Sequence, residues 1–188
     1  MAQISLWLLA GVMLCSIPAG SLEEDIHWVH TRDKGRVLIL LSQLQRTPPH
    51  LCLADRNDFK FPWNLETIMQ MKKIQYTCFH HLMLLQIFNL FRAQSSLAAW
   101  DHTLLSQLLS SLHHSLEHLE QREGEIRACP NVGILVRKYF QRIHSYLKEK
   151  KYSSCAWEVV RVEITIRVGI IKRGQVQTLF LIERKVHL

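Results

Sequence analysis

Acidic and basic residues are missing from the first 21 positions, MAQISLWLLAGVMLCSIPAGS, which hold an apolar run from Ile4 to Ile17 closed by the small residues Ala19, Gly20 and Ser21. That run falls short of the ~20 apolar residues a membrane-spanning helix needs, so it reads as a secretory signal. Cleavage is expected after Ser21, leaving residues 22–188 as one mature domain. No later stretch is long and apolar enough to cross a bilayer, so the expectation is a secreted, extracellular protein with no membrane insertion. Catalytic signatures are lacking too: there is no glycine-rich phosphate loop, no GxSxG elbow, no HExxH and no cysteine-paired zinc spacing. These absences argue against an enzyme and against a resident cofactor or metal. No N-x-S/T triplet occurs, so N-glycosylation is not expected. The formal charge of +7 is spread along the chain with no nucleic-acid motif beside it, which points to acidic partner surfaces, glycans or anionic lipid and away from DNA.

Strand-like alternation and internal repeats are also scarce, and helical periodicity runs through almost the whole mature region. A first helix is expected from about 33 to 45, with Val37, Leu40, Leu41 and Leu44 on one stripe. The stretch from 46 to 64 holds three prolines and several Asp and Asn residues, and should be a long connection that lets the flanking helices lie parallel. A second helix follows from about 74 to 92, with Ile74, Cys78, Leu82, Leu85 and Phe88 as its apolar stripe. Ser95 or Ser96 is the expected cap of a third, running from 97 to 122 through Trp100, Leu104, Leu108, Leu112, Leu116 and Leu119. Gly124 and Pro130 bracket a turn, after which Val136, Phe140, Ile143 and Leu147 mark a fourth helix. Ser153 or Ser154 then caps a fifth, in which Trp157, Val160 and Ile164 turn inward while Glu158, Arg161 and Thr165 face elsewhere.

Four cysteines, Cys52, Cys78, Cys129 and Cys155, survive removal of the signal, an even number suited to two disulfides with three connectivities open. Cys155 is accordingly read as a disulfide partner and not as a nucleophile. Glu158 and Arg161, three apart, have the spacing of a solvated helix pair worth ~0.2–0.5 kcal/mol. His114 and His118 stand four apart with His113 adjacent, a spacing that suits zinc, but no third ligand follows at a convincing distance in sequence.

The stretch CAWEVVRVEI (155 to 164), preceded by KEKKYSS, resembles the signature of the type I interferons. Further motifs follow in the family's order: CLADRNDFKFP (52 to 62) resembles the first-loop motif, FNLF (88 to 91) the end of the second helix, AAWD (98 to 101) the start of the third, and VRKYFQRI (136 to 143) the fourth. The resemblance implies an all-α fold, a five-helix long-chain cytokine bundle with a long loop between its first two helices. It implies a Cys52–Cys155 disulfide stapling that loop to the last helix. The family's other bridge has no counterpart, because LEED opens the mature chain and Arg122 stands at the helical position. Cys78 and Cys129 are therefore a second pair to consider, with two buried free thiols as the alternative.

The resemblance further implies a monomer that bridges the two chains of the type I interferon receptor, with no nucleic-acid partner and no catalytic centre. It places Leu53, Arg56, Arg161, Val162 and Thr165 on the high-affinity face, and Phe88, Asn89, Leu104, His113 and Arg137 on the low-affinity one. Residues 165–188 depart from the family's polar tail, and Thr165, Ile166, Val168 and Gly169 are poor helix formers, so the last helix is expected to end early. A secreted basic helical protein that binds acidic glycans or lipid, or a lapsed paralogue with little receptor activity, is the competing reading.

Overall fold

A computed structural model describes residues 35–120 and 129–186, with side chains up to Gly174. The signal at 1–21, the start of the mature chain, Arg122 and Gly124 lie outside the described residues. Eight helical segments follow one another, and no strand occurs among the described residues. They are α1 (35–43), a 3-10 segment Pro49–Asp55, α2 Leu65–Met69, α3 Lys73–Arg92, α4 Gln94–Leu97, α5 His102–Glu120, α6 Pro130–Glu149 and α7 Ser154–Val186.

Cross-helix contacts set the topology. Arg161 on α7 reaches the Leu41 carbonyl while Lys172 stands opposite Gly35, so α7 runs antiparallel to α1. Phe91 packs near Trp157, and the Tyr76 hydroxyl donates to the Ile171 carbonyl at 2.6 Å, so α7 is antiparallel to α3 as well. Thus α1 and α3 are parallel across the long connection, as the proline-rich stretch predicted. His81 meets Glu120 and Phe88 meets His113, making α5 antiparallel to α3, and α6 returns parallel to α3, with Gly133 opposite Leu82.

The predicted stripes of α1, α6 and α7 are the buried ones: Val37, Leu40, Leu41 and Leu44; Val136, Phe140, Ile143 and Leu147; Trp157, Val160 and Ile164. In α5, Leu108, Leu112, Leu116 and Leu119 are buried and Leu104 is half-buried. The stripe of α3 is different. Ile74 is exposed and Leu82, Leu85 and Phe88 are half-buried, while Phe79, Met83, Ile87, Leu90 and Phe91 form the innermost row. This helix packs on α5, α6 and α7. It is therefore apolar around most of its circumference, and periodicity alone does not select its deepest side.

Helix starts also differ from expectation at one point. Ser96 does not cap α5; its hydroxyl turns back to donate to the carbonyls of Phe91 and Ala93. The cap is Asp101, whose Oδ1 accepts the Leu104 N–H at 2.9 Å, and α5 begins at His102, not at 97. Ser153 does cap α7, accepting the Ala156 N–H at 3.2 Å. Pro130 is the first residue of α6, where its missing N–H costs nothing.

The last helix does not stop after Ile164 but continues to Val186. Ile164, Val168 and Ile171 step by four and three residues into the core, and Gly174 lies so close to α2 that a Cβ there would stand 2.7 Å from Ile68 Cγ2. Burial of this row outweighs the weak propensity of Thr165, Ile166, Val168 and Gly169, since tertiary packing of an apolar face contributes more to helix stability than intrinsic preference.

Candidate functional site

Cys52 in the 3-10 segment is bonded to Cys155 in the first turn of α7, with Cα atoms 5.1 Å apart and a sequence separation of 103. Cys155 is thus no nucleophile. The bond sets the 3-10 segment alongside α7, and between them lies a groove of about 400 Å³. Leu53, Arg56 and Val162 line it together, with Pro49, His50, Asn57 and Phe59 on the loop side and Val159, Glu163 and Ile166 on the helix side. Leu53 is 57% exposed and Ile166 49% exposed, so the groove has an open apolar rim beside the Arg56 guanidinium.

Arg161 and Thr165 are not part of that lining. Arg161 is 4% exposed and Glu158 1% exposed, which corrects the expectation of a solvated pair facing away from the core. Arg161 Nε and Nη2 donate to the two Glu158 carboxylate oxygens at 2.8 and 2.6 Å, and Nη1 donates to the Leu41 carbonyl at 2.8 Å. Leu41 sits in the last turn of α1, where carbonyls have no partner within the helix, so the guanidinium closes that end as a charged donor. The reason is that α7 is surrounded: the side turned from Trp157 and Val160 meets α1, not water. Thr165, half-buried, donates its hydroxyl to the Arg161 carbonyl at 2.8 Å.

The loop is also held from α6. Arg142 donates from Nε to the Phe59 carbonyl and from Nη2 to the Lys60 carbonyl, both at 2.8 Å. The Tyr146 hydroxyl donates to the Asp55 carbonyl at 2.8 Å, and Lys150 Nζ lies 2.9 Å from Asp55 Oδ1. Burial, with the Asp55 and Glu149 carboxylates adding to it, pushes the Tyr146 phenol up to about 12. Asp58 accepts from the Lys60 side chain and backbone N–H, which holds its carboxyl below the usual range. Lys60 sits at φ 52°, a left-handed conformation that turns the chain there. Arg142 and Tyr146 were missed as ties to the loop because their partners are main-chain carbonyls, which carry no sequence signal.

The other predicted residues gather on a second surface only in part. Phe88 on α3 and His113 on α5 approach to 6.2 Å between ring centroids, and the Arg92 guanidinium lies 5.3 Å over the Phe88 ring. Asn89 and His113 are exposed, and Phe88 and Leu104 are half-buried against the core. Arg137 is exposed on α6. His114 and His118 approach to 3.2 Å between Nε2 atoms, but no cluster of three or more metal-ligating side chains occurs among the described residues. Among those residues, too, no helix is long and apolar enough to cross a membrane. Cys78 and Cys129 are free thiols, so the second disulfide considered from the sequence is not formed in this structure.

Residues 27–175 match the family model for the interferon alpha/beta domain. Interferon omega-1 of Homo sapiens is 46% identical over 87% of this chain and 88% of its own length. Interferon tau of Giraffa camelopardalis is 43% identical over 84% of each chain, and interferon alpha-2 of Equus caballus is 43% identical over 84% of this chain and 89% of its own. Among solved structures, zebrafish interferon 2 superposes with a TM-score of 0.63 at 21% identity, covering 76% of this chain and 96% of the other, a likeness of fold.

Proposed function

The chain belongs to the type I interferon family of helical cytokines, and from that premise we propose that it is secreted and acts by binding and bridging the two chains of the type I interferon receptor, setting off kinase signalling and an antiviral, antiproliferative response. The observation that carries this reading is the groove between the 3-10 segment and α7, which joins Leu53 and Arg56 to Val162 across the Cys52–Cys155 bond. This is the high-affinity face. A planar guanidinium beside an open apolar rim offers a fork of donors together with dehydratable surface, the pairing that interface anchors favour. Arg161, being buried, serves that face by fixing α7 against α1 and not by touching the receptor. Thr165 stands one turn further along and joins the edge of the same patch.

The low-affinity face is formed by Phe88, Asn89, Leu104 and His113, and the family resemblance adds Arg137, exposed on α6. Its paired rings supply stacking surface for an aromatic or cationic partner group. The protein acts as a monomer, since one copy carries both faces.

The test is a reporter assay on responsive cells with and without the receptor, run alongside Arg56→Ala and Leu53→Ala, two exposed positions whose replacement leaves the core untouched. A response that disappears with the receptor and falls at least tenfold with Arg56→Ala, about 1.4 kcal/mol, supports the proposal. A response indifferent to receptor loss and to both substitutions rejects it in favour of binding to acidic glycan or lipid.

A further inference from the structure

Two thiols belong to neither face. Cys78 lies in the second turn of α3 and is 2% exposed, whereas Cys129 is the residue preceding the first turn of α6 and is half-buried. The Cys129 thiol stands close enough to Cys78 to act on its ionisation. Their meeting follows from the packing of the helices. One turn beyond, Gly133 of α6 faces Leu82 of α3, and a Cβ on it would stand 3.8 Å from Leu82 Cδ1. The pairs 78 with 129 and 82 with 133 advance together, so two parallel helices hold the sulfurs in register.

We propose that Cys78 and Cys129 are a redox modification site, at which a small-molecule disulfide of the glutathione type converts the two thiols into a second intrachain bridge between α3 and α6. Cys129, the accessible member, gives its proton to solvent and its thiolate attacks one sulfur of the small disulfide. That S–S bond breaks, one small thiol leaves, and a mixed disulfide remains on Cys129. Cys78 then gives up its proton and attacks the Cys129 sulfur, expelling the second small thiol as the internal bond forms. Two protein thiols are oxidised and one disulfide is reduced to two thiols, with no other oxidant required. The order of attack has a physical basis: burial, reinforced by the Cys129 contact, pushes the Cys78 thiol up to about 12, so it does not enter first and acts only on a sulfur already placed beside it.

The bridge would lock the start of α6 to α3, the helices that carry Arg137 and the Phe88–Asn89 pair. That consequence rests on the receptor reading; the chemistry does not, and its test uses no receptor. The purified full mature chain is equilibrated in mixtures of reduced and oxidised glutathione, alkylated, and digested without reduction. The expected result is a Cys78 peptide joined to a Cys129 peptide in a fraction that rises with the oxidised share and falls again when reduced glutathione is added. The thermal midpoint should rise by several degrees as the bridge forms. Cys78→Ala should stall Cys129 as a stable glutathione adduct, and Cys129→Ala should leave Cys78 unmodified. Alkylation of both cysteines at every ratio, or a persistent Cys129 adduct in the chain that retains Cys78, overturns the proposal.

Discussion

The groove between the 3-10 segment and α7 and the surface of α3 and α5 reach order by different means. The first is half loop, and its loop side is tied on two flanks: to α7 by Cys52–Cys155, and to α6 by Arg142, Tyr146 and Lys150. The second consists of helix side chains such as Phe88 and His113, whose positions follow from packing of the bundle with no covalent tie. A loop acquires by cross-links what a helix acquires by burying one face. A surface ordered before its partner arrives loses less conformational freedom on docking, and the cross-ties give the loop side that order.

The largest expected break lies beneath the cross-tied side. Glu158→Ala leaves the Arg161 charge buried with only the Leu41 carbonyl as partner, and should destabilise by about 3–5 kcal/mol in urea unfolding. Replacing both residues with apolar side chains of similar volume should cost much less than either single change, because no unpaired charge then remains. A double substitution as harmful as the single ones would contradict this account.

Next in size is the covalent tie. Replacing Cys52 and Cys155 with Ser should cost about 2–5 kcal/mol, since the bond closes a long loop of the unfolded chain. It should also sharpen the comparison between faces. Binding through Leu53 and Arg56 should weaken while binding through Phe88 and His113, measured with each soluble receptor chain separately, stays unchanged. Equal loss on both would mean that the bond supports the whole bundle and not one face.

A smaller effect tests the extension of α7. Gly174→Ala puts a methyl 2.7 Å from Ile68 Cγ2 and 3.3 Å from Tyr76 Cε2, and should cost about 1–3 kcal/mol by overpacking. Neither face contains Gly174, so receptor binding at temperatures well below unfolding should not change. Tolerance of the alanine would indicate that α7 does not pack closely on α2 there.

What the sequence made legible divides along similar lines. Helices with one buried side, α1 and α6, announced their inward residues through spacing alone, and Ser153 announced the start of α7. The helices enclosed by neighbours did so only in part: α7 showed Trp157, Val160 and Ile164 but not its second buried side. In α3 the apolar residues outnumber a single stripe, and in α7 a glutamate and an arginine three apart look solvent-facing until α1 is placed over them. Arg56 and Leu53 were legible only through the family resemblance, since an exposed loop charge has no periodicity. The ties from Arg142 and Tyr146 remained hidden because a main-chain carbonyl is the same at every residue, and only the fold decides which one a distant side chain reaches. The tail misled for the converse reason: its weak helix formers were read for their own preferences, when Val168, Ile171 and Gly174 belong to a packed row.

The smallest predicted effect concerns the α6 flank of the loop and is read through pH. The Tyr146 phenol, ordinarily ionising near 10, is held neutral to about 12 by burial first and by the nearby Asp55 and Glu149 carboxylates second. A group whose folded value lies above its unfolded value binds its proton more tightly in the folded state. Its contribution is therefore complete below pH 10 and is lost as pH climbs from there through about 12. Tyr146→Phe removes the hydrogen bond to the Asp55 carbonyl and should cost about 0.5–1.5 kcal/mol at neutral pH. The same substitution removes one titrating group, so the alkaline fall in the urea midpoint should be shallower in the variant than in the parent. Tyr76 and Tyr139, both raised by burial, remain in the two proteins and supply the slope that persists. Parallel alkaline limbs in parent and variant would show that Tyr146 ionises as freely as in the unfolded chain, and its bond to the loop would then be no tie.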